Sequence, residues 1–126
     1  MNYFQKLQEK HGDIDADEDQ RNRWYKKGFS ALGREDHTQA EKSFEKLAVA
    51  SPWLPGGFEG LAYVYYETGR LKESEWFMMK ALSLAEGLHR KGKLDEKILK
   101  MMKGNLQAMR EEKELFRWWE NINNRR

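Results

Sequence analysis

The sequence predicts an all-α protein built from helix pairs that recur 34 residues apart, and three observations carry this. Apolar residues return at spacings of three and four through most of the chain, the period of an amphipathic helix. Only two prolines interrupt 126 residues. Laying Trp24 onward over Phe58 onward matches large with large and small with small without a gap: Trp24 with Phe58, Gly28 with Ala62, Ala40 with Ser74 and Phe44 with Met78. Ala31 with Tyr65 and Leu47 with Ala81 are looser matches.

The elements follow in order. Tyr3, Phe4 and Leu7 suit a short amphipathic helix, followed by an acidic lead-in to about residue 20. That lead-in, GDIDADEDQRNRW, begins like an EF-hand loop, which needs glycine at its sixth position and a bidentate glutamate at its twelfth. Counted from Asp13 those positions hold Glu18 and Trp24; counted from Asp15 they hold Gln20 and Lys26. Calcium chemistry fails, and the acids read instead as the cap of a helix carrying Arg21 to Leu32. Trp24, Phe29, Ala31 and Leu32 form its apolar face, and Gly33 is expected to end it in a left-handed conformation. Asp36 or Thr38 then caps a helix with Ala40, Phe44, Leu47 and Ala48 on one side. Pro52 stops it, and Pro55 suits the first turn of the next.

The second unit repeats the first. Phe58, Leu61, Ala62 and Tyr65 line one helix, and Gly69 closes it. Another is expected from Leu71 to about Gly87, with Trp76, Phe77, Met78, Ala81, Leu82 and Leu84. Because Gly33 stands two places earlier in its unit than Gly69, the first connection should be about two residues longer. A basic linker, LHRKGK, precedes a helical pattern from about Leu94, with Ile98, Met102, Leu106 or Asn105, Met109, Phe116 and Trp119 as its stripe. Gly104 interrupts it at a cost of about 1 kcal/mol relative to alanine. One helix or a helix pair would fit this last region.

These residues resemble the tetratricopeptide repeat, whose pattern is W-x2-L-G-x2-Y, then G, then A-x3-F-x2-A, then P. Trp24, Gly28, Ala40, Phe44 and Pro52 carry it in the first unit; Phe58, Leu61, Ala62, Tyr65, Gly69 and Ala81 carry it in the second. Lys27, Ser74 and Glu86 depart from it. The resemblance covers about residues 21 to 88. It implies a single domain, 1–126, holding a right-handed stack of antiparallel helix pairs: repeat 1 at 21–54, repeat 2 at 55–88, and a long C-terminal helix over 94–122 that caps the stack or forms a degenerate third repeat. About three units are normally needed to bury a continuous core.

The resemblance also implies a concave groove lined by the first helix of each pair, receiving a partner peptide or helix. On this chain the groove positions are Asn22, Tyr25 and Phe29, with Leu32 at the margin, and Glu59, Tyr63 and Tyr66. Tyrosine offers a broad rigid face with a hydroxyl, and aromatics are enriched in binding hot spots. The lysine, asparagine and arginine clamp by which one branch of the family holds chaperone tails is missing. An apolar or helical partner segment fits these aromatics better. Trp118 and Trp119, in FRWWENINNRR, are a second candidate interface: one is expected to cap the repeats and the other to meet a partner. The alternative to groove binding is self-association through the ends of the stack into a homo-oligomer or larger complex.

Composition excludes other classes. There is no cysteine, so disulfides and thiolate metal sites are out of reach. A net charge of +2 gives no general case for nucleic acid, although Arg90, Lys91 and Lys93 cluster ahead of Lys97, Lys100 and Lys103, and Arg125 and Arg126 could touch phosphate. The start lacks a signal-peptide apolar stretch, no run is long enough to span a membrane, and a cytoplasmic location is expected. Glu111, Glu112, Glu114 and Glu120 oppose an interfacial membrane helix. His11, His37 and His89 lack paired metal spacing, and His37 and His89 are expected to be exposed. No phosphate loop or nucleophile elbow appears. A non-catalytic protein with no cofactor is expected.

Overall fold

The chain folds as six α-helices followed by a 3-10 helix, with no strand among residues 2–124, which this computed structural model describes. Helix α1 (Tyr3–His11) opens on a reciprocal capping box between Asn2 and Gln5. Helix α2 (Glu18–Gly33) opens where the acidic stretch ends: the Asp17 carboxylate accepts from the Gln20 N–H at 2.8 Å, and Glu18 and Asp19 face the positive helix end. Asp36, rather than Thr38, caps α3 (His37–Ala50) by accepting from Gln39. Helix α4 (Gly56–Glu67) starts directly after Pro55, and α5 (Leu71–Arg90) follows a three-residue turn. Asp95 caps α6 (Glu96–Arg110), and the 3-10 helix covers Trp118–Asn124. Arg125 and Arg126 lie outside the described residues.

Four helices end by one device, and it corrects the expected endings. Gly33 is not left-handed; it closes α2 as a helical residue, and Glu35 takes the positive φ of 62°. The Asp36 N–H reaches back to the Ala31 carbonyl, and that of Glu35 to Leu32, satisfying orphan carbonyls at the helix end. Gly69 (φ 81°) plays the same part after α4, with Arg70 N–H bonded to Tyr65 O. Glu35 and Gly69 are 34 residues apart, so the two turns have equal length, not the two-residue difference expected from aligning Gly33. Gly92 (φ 72°) ends α5, which therefore runs three residues beyond Gly87 and takes in Leu88, His89 and Arg90. Glu112 (φ 53°) ends α6, with Lys113 N–H bonded to Ala108 O.

That last turn overturns the long C-terminal helix. The apolar stripe has no member between Met109 and Leu115, so nothing holds a further turn against the core. The stripe itself is Leu99, Met102, Asn105 and Met109; Ile98 and Phe116 are exposed.

From α2 to α6 each helix packs on the next, and α2 also touches α4. Phe44 on α3 is the pivot. Its ring is fully buried between Gly28 of α2 and Gly60 of α4, where an added Cβ would lie 2.5 and 2.4 Å from it. Gly57 comes as close to the backbone of Ala48. Without side chains at these three positions, α2, α3 and α4 approach closely enough to enclose a phenylalanine, worth about 1.5–3 kcal/mol in burial. Helix α1 covers the opposite edge through Phe4 on Phe58 and Tyr3 on Trp76. Lys10 and His11 meet the buried Glu45 carboxylate at 3.0 and 2.9 Å. Arg70 pairs with Glu41 through two bonds and lies over the Tyr65 ring, tying the α4–α5 turn to α3. No helix is long and apolar enough to cross a membrane among the described residues.

Candidate functional site

Helices α2 and α4 bring the expected groove residues to one face, and most of that face is already covered. Phe29 and Tyr63 are fully buried, and Glu59 is nearly so. The cover is the chain itself. After Glu112 the backbone leaves α6, crosses towards α2 and ends in the 3-10 helix packed on it. Trp118 lies on Phe29 with ring centroids 4.4 Å apart, and Trp119 stacks on Tyr63 at 4.3 Å. The expectation that the two tryptophans serve different surfaces is corrected: a 3-10 helix turns both onto the same aromatic face, their planes 82° apart. Trp119 has no exposed surface.

Three polar ties hold this segment. Asn105 of α6 brackets Phe116, accepting from its N–H at 2.8 Å and donating to its carbonyl at 3.2 Å. Tyr66 donates from its hydroxyl to the Lys113 carbonyl at 2.6 Å. Arg117 pairs with Glu67, which also meets His37 Nε2 at 3.0 Å. His37 is thus bonded and partly covered rather than free on the surface, and His89 is likewise bonded, through Nδ1 to the Leu94 carbonyl at 2.9 Å.

Beneath the segment sits a buried polar chain. Tyr63 donates to Glu59 Oε2 at 2.5 Å and accepts from Asn105 Nδ2 at 3.2 Å. Burial pushes the Glu59 carboxyl up to about 7, against the opposing pull of the Tyr63 hydrogen bond. The Tyr63 hydroxyl is held far above its ordinary value by burial and then by Glu59. The Trp118 N–H acts on that hydroxyl without hydrogen-bond geometry. The Trp119 indole N–H is buried with no acceptor, and that of Trp118 has only this poorly aligned hydroxyl.

One part of the face remains open. Tyr25, Glu59, Lys97, Ile98, Met101, Phe116 and Trp118 line a groove of about 430 Å³ between α2 and α6. Tyr25, Ile98 and Phe116 are 37%, 46% and 57% exposed, half of the large hydrophobic side chains exposed among the described residues. Asn22 is exposed and shares with Tyr25 a separate cleft beside Pro55. Of the six expected groove residues, Phe29, Tyr63 and Glu59 therefore form the floor, Tyr66 anchors the covering segment, and Tyr25 and Asn22 remain accessible.

Sequence reasoning missed Ile98, Met101 and Phe116 as groove residues and Asn105 as the bracket. The gap in the stripe after Met109 was the available signal, because it frees Phe116 from the helix.

No group of three or more histidine, aspartate or glutamate side chains is placed to hold a metal ion among the described residues. No family model, curated protein or solved structure matches the chain.

Proposed function

We propose that this chain is a non-catalytic protein-interaction module of tetratricopeptide-like repeats, taking a partner peptide or helix across the face formed by α2, α4 and α6. The repeat assignment draws support from the equal turns at Glu35 and Gly69 and from the Gly28–Phe44–Gly60 packing. The observation that carries the binding reading is the convergence of Tyr25, Ile98 and Phe116 on one open groove. Soluble chains seldom gather exposed large apolar side chains, and a concave apolar cleft with a few polar groups suits an anchored peptide. Lys97 at its margin and Glu59 at its floor add two polar groups to a mostly apolar cleft.

Affinity capture tests this with wild type and a Tyr25→Ala/Ile98→Ser variant whose helix content is unchanged by circular dichroism. Partners held by wild type and lost by the variant are expected. Equal capture by both would move the function away from this face.

A further inference from the structure

The covering segment shows what the groove accepts. Arg117–Asn124 lies on α2 as a docked peptide would, after a non-helical connector whose residues 111–114 are exposed. It places two adjacent aromatic rings on Phe29 and Tyr63. Those are residues that the repeat reading assigns to partner binding.

The seating is incomplete. The Trp119 N–H is buried without an acceptor and the Trp118 N–H has only the poorly aligned Tyr63 hydroxyl, whereas water would satisfy both if the segment left. Its polar ties are few: the Arg117–Glu67 pair, with the Asn105 bracket at Phe116 and the Tyr66 bond at Lys113 just ahead of it. The rings add favourable contact, but part of that gain is lost to these two poorly satisfied donors. A segment presenting phenylalanine at the same two positions would keep the stacking and strand no donor.

We infer that the α2–α4–α6 face is a binding groove occupied in cis by the chain's own Arg117–Asn124 segment, and that a partner segment with two adjacent phenylalanines, aromatic but free of an N–H, binds by displacing it. This rests on the groove-binding reading above. The tether explains why the resident holds the site: a short linker gives an effective concentration in the millimolar range, which a free peptide overcomes only through higher intrinsic affinity or concentration. Weakening the resident lowers that threshold, and the apparent affinity of a competitor rises by the same factor.

The probe is a fluorescein-labelled peptide, ELFRFFENINN, which is residues 114–124 with phenylalanine at positions 118 and 119. Its anisotropy is followed on titration with the full chain, with Trp119→Ala and with the milder Arg117→Ala. The expected result is at least tenfold tighter binding by Trp119→Ala than by wild type, a smaller gain for Arg117→Ala, and competition by unlabelled peptide. Equal or absent binding across three folded proteins overturns the inference. Loss of fold in both variants overturns it too, because a displaceable occupant cannot be what holds the fold together. Partners still lost by Tyr25→Ala/Ile98→Ser, with no peptide bound, would leave the open groove as the working site and reject the displacement alone.

Discussion

The Trp119 ring stacks on Tyr63 at 4.3 Å with an interplanar angle of 26°, while the Tyr63 hydroxyl donates to Glu59 at 2.5 Å. One tyrosine thus joins the C-terminal segment to a buried acid. Tyr63→Phe keeps the stack and removes the donor, leaving Glu59 buried without it. The expected cost is about 1–3 kcal/mol, the usual penalty for a stranded buried polar group. Urea denaturation of the two proteins checks this, and a cost near zero would show that Glu59 finds another donor.

Glu59 should also make stability depend on pH. Its carboxyl is raised from an ordinary 4.5 to about 7 in the folded chain, chiefly by burial. The folded state therefore holds the proton more tightly than the unfolded state. The resulting stabilisation is fully present below about 4.5 and is lost as pH rises through about 7. On the order of 3 kcal/mol is at stake. Other groups titrate as well, so the informative quantity is the difference between wild type and Glu59→Gln. The variant should gain on wild type between pH 5 and pH 8, and parallel curves would contradict the assignment.

Gly60→Ala should destabilise by overpacking. Its Cβ would meet the Phe44 ring at 2.4 Å, and Gly28 already confines the other side of that ring. Phe44 has nowhere to withdraw, and about 1–3 kcal/mol is expected. Thermal melting measures this; an unchanged midpoint would mean that α3 can shift as a body.

The turns at Glu35 and Gly69 supply a matched pair with opposite signs. Both have positive φ, which glycine adopts freely and other residues do not. Glu35→Gly is expected to stabilise by roughly 0.5–1 kcal/mol and Gly69→Ala to destabilise by about 1 kcal/mol. An added Cβ at Gly69 meets nothing within 4 Å, so the backbone conformation alone is under test. Chemical denaturation of each variant reads the sign directly.

The all-helical class was legible because its cause is periodic: Phe29, Leu32, Ala40, Phe44 and Leu47 announce buried faces from spacing alone. Helix starts at Asp17 and Asp36 were legible through capping chemistry. Helix ends were harder. A left-handed residue is usually glycine, so Gly33 drew attention that belonged to Glu35, where the turn imposes its conformation on a residue that resists it. The site was legible as a set of residues and not as a surface. Phe29 and Tyr63 do lie on the expected face, but their burial depends on a segment some fifty residues or more away in sequence. Glutamate and lysine are good helix formers, so EEKE reads as more helix. What ends α6 is the missing apolar residue and the capture of Phe116 by Asn105, and only the latter requires the folded partner to be seen.

The order of the chain gives the covering segment a consequence in time. Ribosomes add about 5–20 residues each second, and domains begin to form before synthesis ends. Phe29 and Tyr63 are therefore made several seconds before Trp118 and Trp119 exist to cover them. If the displacement inferred above holds, the nascent chain has a window in which a ligand meets these residues before their competitor exists. A partner met in that window would meet no closing segment, and its complex could persist after the finished protein has lost the ability to form it quickly.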